Sequence, residues 1–345
     1  MENKRYFDIL QIYRGIASLL VVVHHSYASF EHYLKLDNAA LAFIASVGKL
    51  GVDFFFVLSG FIIAYTTYNY RGQTGYLKKY TFNRVIRIYV PYLPVSFAMI
   101  LLYFLFPGSS NSDRSMSLLT SVLLIPDGNP ALSVAWTLVF EMFFYLMYSL
   151  NFFSKKLWYV ILIVWLLGII GTSISHLIFE HPFLKLIFNL YNLEFIMGVM
   201  VAYLIKMNLV KTDRKWFVIF PIVLFLIFLY LKYAAINLFP FSLNLIFALS
   251  AAGFVYVGIK YFTKKIPENN VWMLLGNSSY SLYLLHNPLQ SMLVRVMPAA
   301  DHQIVLLFEL FIVIFLCCLI SYFYYLIFEK HVMTFIKNKF EKYVA

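Results

Sequence analysis

Charge is scarce in this 345-residue chain. Asp, Glu, Lys and Arg together make up 12% of it, against 62% hydrophobic and 20% aromatic residues. With a mean hydropathy of +0.79, that composition excludes an ordinary soluble enzyme and points to an integral membrane protein. Cysteine is almost absent. Cys317 and Cys318 are adjacent in an apolar run, which excludes a disulfide framework and offers no metal-ligand spacing, so no metal is expected. Acidic residues number 16 against 27 Lys and Arg. In a soluble protein a net charge of +11 would suggest nucleic acid. In a membrane protein it reflects basic residues lining the cytoplasmic loops, and no nucleic-acid partner is expected. The alternating pattern of a membrane barrel is lacking, as is the internal repeat that marks many transporters.

What is present is a series of apolar runs of about 20 residues, each long enough to cross a bilayer as a helix. The fold class is therefore all-α, a polytopic membrane protein with about ten transmembrane helices. The spans are placed near residues 8–30, 42–69, 88–106, 132–151, 157–176, 183–206, 215–232, 241–262, 272–297 and 303–328. Lys and Arg crowd the alternate loops, for example Arg71, Lys78, Lys79, Arg84 and Arg87, or Lys206, Lys211, Arg214 and Lys215. That asymmetry puts both termini in the cytoplasm. Lys4 and Arg5 precede a stretch too long and too interrupted for a signal peptide, so it reads as a retained first helix. One integral-membrane domain over 1–345 is expected, with a short basic cytoplasmic tail at 329–345. The second span is expected to begin with a short interfacial helix, broken near Gly48 or Gly51. The longest outer loop, 107–131, carries GSSNSD and PDGNP and reads as a loop.

Polar residues inside the apolar runs are the functional candidates, because an ionisable group at membrane depth is costly. The first span, DILQIYRGIASLLVVVHHSYASF, holds Arg14, His24 and His25. Arg14 and His25 are eleven positions apart, which is about three turns plus about 20°, so they share one helix face about 16 Å apart. His24 points roughly 80° away. In the second span Asp53 falls at the depth of His25. It reads equally as the partner of that imidazole or as a helix-start carboxylate. Ser59-Gly60 permits close helix packing. Arg84 and Arg87, three apart at the inner boundary, suit a phosphate because each guanidinium forks to two oxygens. As a pair on their own they read as inner-face anchors. Pro91 and Pro94 are expected to break the hydrogen-bond ladder of the third span, which is tolerated where helices line a cavity. Glu141 lies mid-span in the fourth, as a structural partner of a cation such as Arg14 or as a catalytic group, and Glu194 is a weaker version of the same. His286 falls near the depth of His25. Asn277, Ser278, Ser279 and Ser281 start its helix and read as caps.

Taken in order, Arg14 with His25, GVDFFFVLSGFIIA, NRVIRIYVPY, WTLVFE and GNSSYSLYLLHNP resemble the membrane acyltransferase family 3, which includes the O-acetyltransferases of bacterial cell-surface polysaccharides. The resemblance covers nearly the whole chain. It implies a multi-pass protein of the bacterial inner membrane, surrounded by lipid. It also implies an acetyl-CoA donor from the cytoplasm and a glycan or lipid-linked glycan acceptor. By the same resemblance Arg14 and His25 match the arginine–histidine pair needed for activity, and Arg84 and Arg87 the pair linked to the donor. The pantetheine arm would then pass Arg14 and bring the thioester to His25, which acts as a base or is transiently acylated, with Asp53 or Glu141 steadying the resulting cation and His286 sharing the site. The rival readings are a proton-coupled secondary transporter and a protein that binds or flips lipid-linked sugars.

Overall fold

The computed structural model describes residues 7–106, 116–209, 215–262, 265–298 and 302–344. Of the described residues 83% are helical, with no strand among them. Among the described residues, seven helical stretches are long and apolar enough to cross a membrane: 8–34, 39–70, 74–105, 133–152, 155–174, 242–261 and 303–340. The other spans expected from sequence are helical too, but are shorter or more polar. In chain order the helices are α1 (Phe7–Leu34), α2 (Ala39–Gly48), α3 (Leu50–Thr67), α4 (Leu77–Leu105), α5 (Leu118–Leu123), α6 (Trp136–Ser149), α7 (Lys155–Ile174) and α8 (Pro182–Ile187). They continue as α9 (Tyr191–Lys206), α10 (Ile219–Tyr233), α11 (Ser242–Tyr261), α12 (Val271–Asn277), α13 (Ser279–Val296), α14 (Gln303–Tyr324) and α15 (Met333–Val344).

The expected break in the second span falls at Lys49, between α2 and α3. The expected outer loop is described from Met116 onward. There Ser117 caps α5 by accepting from the Thr120 N–H, and 107–115 lie outside the described residues. Pro91 and Pro94 lie inside α4, which stays helical although each proline removes one bond of the ladder. Tyrosine hydroxyls tie α4 to its neighbours there: Tyr280 donates to Ile88 O at 3.0 Å and Tyr324 to Pro91 O at 2.7 Å. One expectation is corrected: the last helix does not stop near 328. It continues through a π-helical stretch, Tyr325–Val332, into α15.

The chain folds as two compact units. The first comprises Met1–Leu10, Asp53–Tyr80 and Phe140–Lys265; the second comprises Gln11–Val52, Thr81–Val139 and Ile266–Ala345. In the first unit α3 and α9 cross at glycines. A Cβ on Gly60 would stand 2.1 Å from Phe195 O, and one on Gly198 would stand 2.1 Å from Val57 O. Only hydrogen fits between the backbones, as expected for Ser59-Gly60. An aromatic core surrounds the crossing, with Phe195 stacked on Phe144 (4.4 Å) and against Phe56 (4.6 Å).

In the second unit α1, α2, α13 and α14 share a core that includes Val22, Phe30, Ala45, Leu282, Leu310 and Val313. The sequence of α14 explains its orientation. Leu306, Leu310, Val313 and Cys317 recur at helical spacing and are buried. Phe308, Phe311 and Phe315 recur on another face and are 67%, 76% and 62% exposed, which in a membrane protein is a lipid-facing stripe. Close approaches also fix α1. A Cβ on Gly276 would lie 2.1 Å from Gln11 O, and one on Gly51 would lie 2.4 Å from Ala17 O. Ala17 and Ser18, which flank the Arg14–His25 line, are buried, and Ser18 donates to Gly15 O. Added bulk at either position would overpack the helix crossing.

Candidate functional site

The second unit holds the arginines and both histidines expected to work together. On α1 the two neighbouring histidines turn to different partners, in keeping with their 100° separation, although their rings stay 4.9 Å apart, centroid to centroid. His24 Nδ1 lies 2.8 Å from Ala45 O. A carbonyl only accepts, so this nitrogen donates, which ties α1 to α2. His25 instead faces α13, its ring centroid 5.2 Å from that of His286.

His286 is fully buried. Its Nδ1 lies 3.1 Å from Leu282 O and 2.8 Å from Tyr283 O. Two carbonyls at one nitrogen require a proton there, so the neutral ring carries its lone pair on Nε2. That Nε2 is buried and has no hydrogen-bond partner among the described residues. An unsatisfied acceptor beside a second imidazole is costly unless a ligand proton completes it. Bracing keeps α13 in place. Tyr283 OH lies 2.9 Å from Thr137 Oγ1, and Asn287 Nδ2 donates to Ser133 Oγ. Thr137 comes from the WTLVFE stretch, whose only obvious chemistry in the sequence was Glu141.

Arg14, Arg84 and Arg87 are all partly buried. A fourth cation, Lys337 on α15, lies within electrostatic range of Arg87 and Arg84. A carboxylate answers two of them: Glu329, in the π-helical stretch, interacts electrostatically with Arg87 and Arg14. The same side chain is anchored on α13. Its Oε1 accepts from Ser281 N at 3.0 Å and from Ser281 Oγ at 2.5 Å. This corrects the expected capping. Ser278, at the cap position, makes no side-chain cap bond, and its hydroxyl donates back to Leu274 O. The N–H at the third position of α13 is capped by Glu329, from the far end of the chain. Sequence reading missed Glu329 and Lys337 as site residues. The available signal was an acidic residue, in FEKHV, where the apolar run meets the basic tail.

The remaining acidic candidates lie in the first unit. Glu141 accepts from Ser59 Oγ at 3.0 Å and from Tyr145 OH. Two hydroxyl donors satisfy it locally. Asp53 is electrostatically coupled to Glu194 and Tyr191, and Glu194 is fully buried beside it. Asp53 thus belongs to a carboxyl pair that its helix-start position alone does not suggest.

A donor carrying phosphates and a thioester matches the chemistry of the second unit. Three arginines and a lysine supply forked and point-charge contacts for phosphate oxygens. An orphaned imidazole nitrogen supplies a proton acceptor. The family model of the acyltransferase family 3 domain matches residues 7–326. No curated protein and no solved structure gives a significant match. A match over nearly the whole chain, on an all-α membrane fold with these residues gathered in one unit, means that this chain belongs to the acyltransferase family 3.

Proposed function

We propose that this membrane acyltransferase moves an acetyl group from cytoplasmic acetyl-CoA to a hydroxyl of a cell-surface or lipid-linked glycan, in the bacterial inner membrane. The observation that carries the reading is the gathering, within one unit, of the Arg14, Arg84, Arg87 and Lys337 cations and the His25–His286 pair. The cations receive the donor's phosphates. Arg14 and His25 lie about 16 Å apart along one helix, a span that the donor's pantetheine arm can bridge. His25 accepts the proton of the acceptor hydroxyl as its oxygen attacks the thioester carbonyl. The C–S bond breaks, and the thiolate leaves as coenzyme A once protonated. His286, with its proton fixed on Nδ1, offers Nε2 to the same proton path. The buried surroundings keep water from the thioester, which it would hydrolyse.

The test is turnover by the purified protein in detergent with radiolabelled acetyl-CoA and a membrane extract from the host as acceptor. Label appearing in glycan, lost in His25→Ala, supports the reading. Free thiol released at the same rate by wild type and His25→Ala, with no labelled glycan, would refute it. Because the assay uses no gradient, a transporter would give no product.

A further inference from the structure

The matched family segment ends at residue 326, yet the helix continues to Val344. Its continuation places two charged side chains of opposite sign at the cation cluster. Glu329 and Lys337 are eight residues apart, about 12 Å along an α-helix and two turns plus about 80° around it, so the C-terminal segment carries them to the cluster at two heights. Glu329 lies within electrostatic range of Arg87 and Arg14, and Lys337 within range of Arg87 and Arg84. The segment begins in a π-helical stretch, a departure from α-helix that recurs at functional sites. Glu329 is not free to swing away, because Ser281 holds one carboxylate oxygen through both its N–H and its O–H. Tyr280, next to Ser281, donates to Ile88 O on α4, one residue beyond Arg87. The carboxylate, the start of α13 and the arginine helix are therefore tied together.

We infer that the C-terminal helix is a wall of the donor-phosphate site, in which Lys337 is an additional phosphate contact and Glu329, anchored on Ser281, is the resident counter-charge that incoming phosphates must work against. This inference rests on the acetyl-CoA reading above. Physically, a fixed carboxylate serves two ends. It offsets part of the positive charge of Arg87 and Arg14 in a low-dielectric setting. It also lowers the affinity for an anion, so that coenzyme A leaves after transfer instead of staying bound. By its bond to Ser281 it links the arginines to the helix that carries His286.

The two residues predict changes of opposite sign. Coenzyme A is titrated, by a fluorescence or thermophoretic readout at low salt, against detergent-purified wild type, Arg87→Ala, Glu329→Gln and Lys337→Gln. Glu329→Gln keeps an amide oxygen for Ser281 but removes the charge, and is expected to bind coenzyme A roughly tenfold more tightly. Lys337→Gln is expected to bind it roughly three- to tenfold more weakly. Both differences should shrink at high ionic strength. A capping or folding role alone cannot tighten ligand binding, so the tightening separates the inference from a structural effect. Should Glu329→Gln fail to fold, Lys337→Gln decides, since this lysine is half-exposed and its loss leaves no buried group unpaired. If wild type binds coenzyme A and Arg87→Ala does not, but Lys337→Gln or a folded Glu329→Gln matches wild type, the inference is overturned and the donor reading stands. If wild type binds no better than Arg87→Ala, the donor reading itself falls, and the inference with it.

Discussion

His286 presents an unprotonated, buried Nε2 on the helix that faces His25, because two carbonyls of its own helix claim the Nδ1 proton. Its ring lies 5.2 Å from that of His25, centroid to centroid. The neighbouring His24 donates from Nδ1 to Ala45 O.

The first prediction follows from that contrast. His25→Ala is expected to lower the transfer rate by a hundred- to ten-thousandfold, on the order seen when a general base is lost. His24→Ala removes one hydrogen bond and should cost about 1 kcal/mol of stability with activity within a few-fold of wild type. Rates per folded protein, with folding checked by size-exclusion chromatography, decide. A dead His24→Ala beside an active His25→Ala would reverse the assignment.

His286 gives a second prediction. His286→Phe fills the site with a ring of similar size and removes the buried lone pair. The protein should stay folded, since an unsatisfied polar atom is replaced by carbon. The transfer rate should drop by about a hundredfold. Retained full activity would leave His286 a packing residue only.

Arg84 and Arg87 carry the third. Each alanine variant loses charge-assisted hydrogen bonds of about 1.5–3 kcal/mol, hence roughly ten- to a hundredfold in coenzyme A affinity. Lysine should recover part of this, since it restores charge but not the fork. Unchanged affinity in both alanine variants would remove these arginines from the donor site.

Donor sidedness is the fourth. Inside-out vesicles given labelled acetyl-CoA externally should label their glycan, and sealed right-side-out vesicles should not. Equal labelling of both would contradict a cytoplasmic donor site.

A fifth concerns the fold alone. Gly198→Val would drive its side chain into Val57 O and the Gly60 backbone. Backbone cannot yield as a side-chain tip does, so the expected cost is about 3 kcal/mol or more. The readout is loss of monodisperse protein after extraction. Gly171→Ala, which meets nothing within 4 Å, is the neutral control.

The amino-acid sequence by itself determined the class of fold, because hydropathy and helix length are local quantities that a bilayer reads directly. It also determined which face of α1 carries Arg14 and His25, since helical spacing is arithmetic. The break at Lys49 was legible for the same reason. The rest depended on which helix lies beside which. Nothing along the chain says that Glu329 caps α13, that Thr137 braces Tyr283, or that Glu194 lies beside Asp53. The prolines of α4 mark lost ladder bonds in the sequence, but the tyrosines of other helices that bond Ile88 O and Pro91 O do not show there. The tautomer of His286 was out of reach in sequence, since it depends on where two carbonyl oxygens point. Pairings between residues far apart in sequence are set by packing, and in this protein packing sets which charges meet.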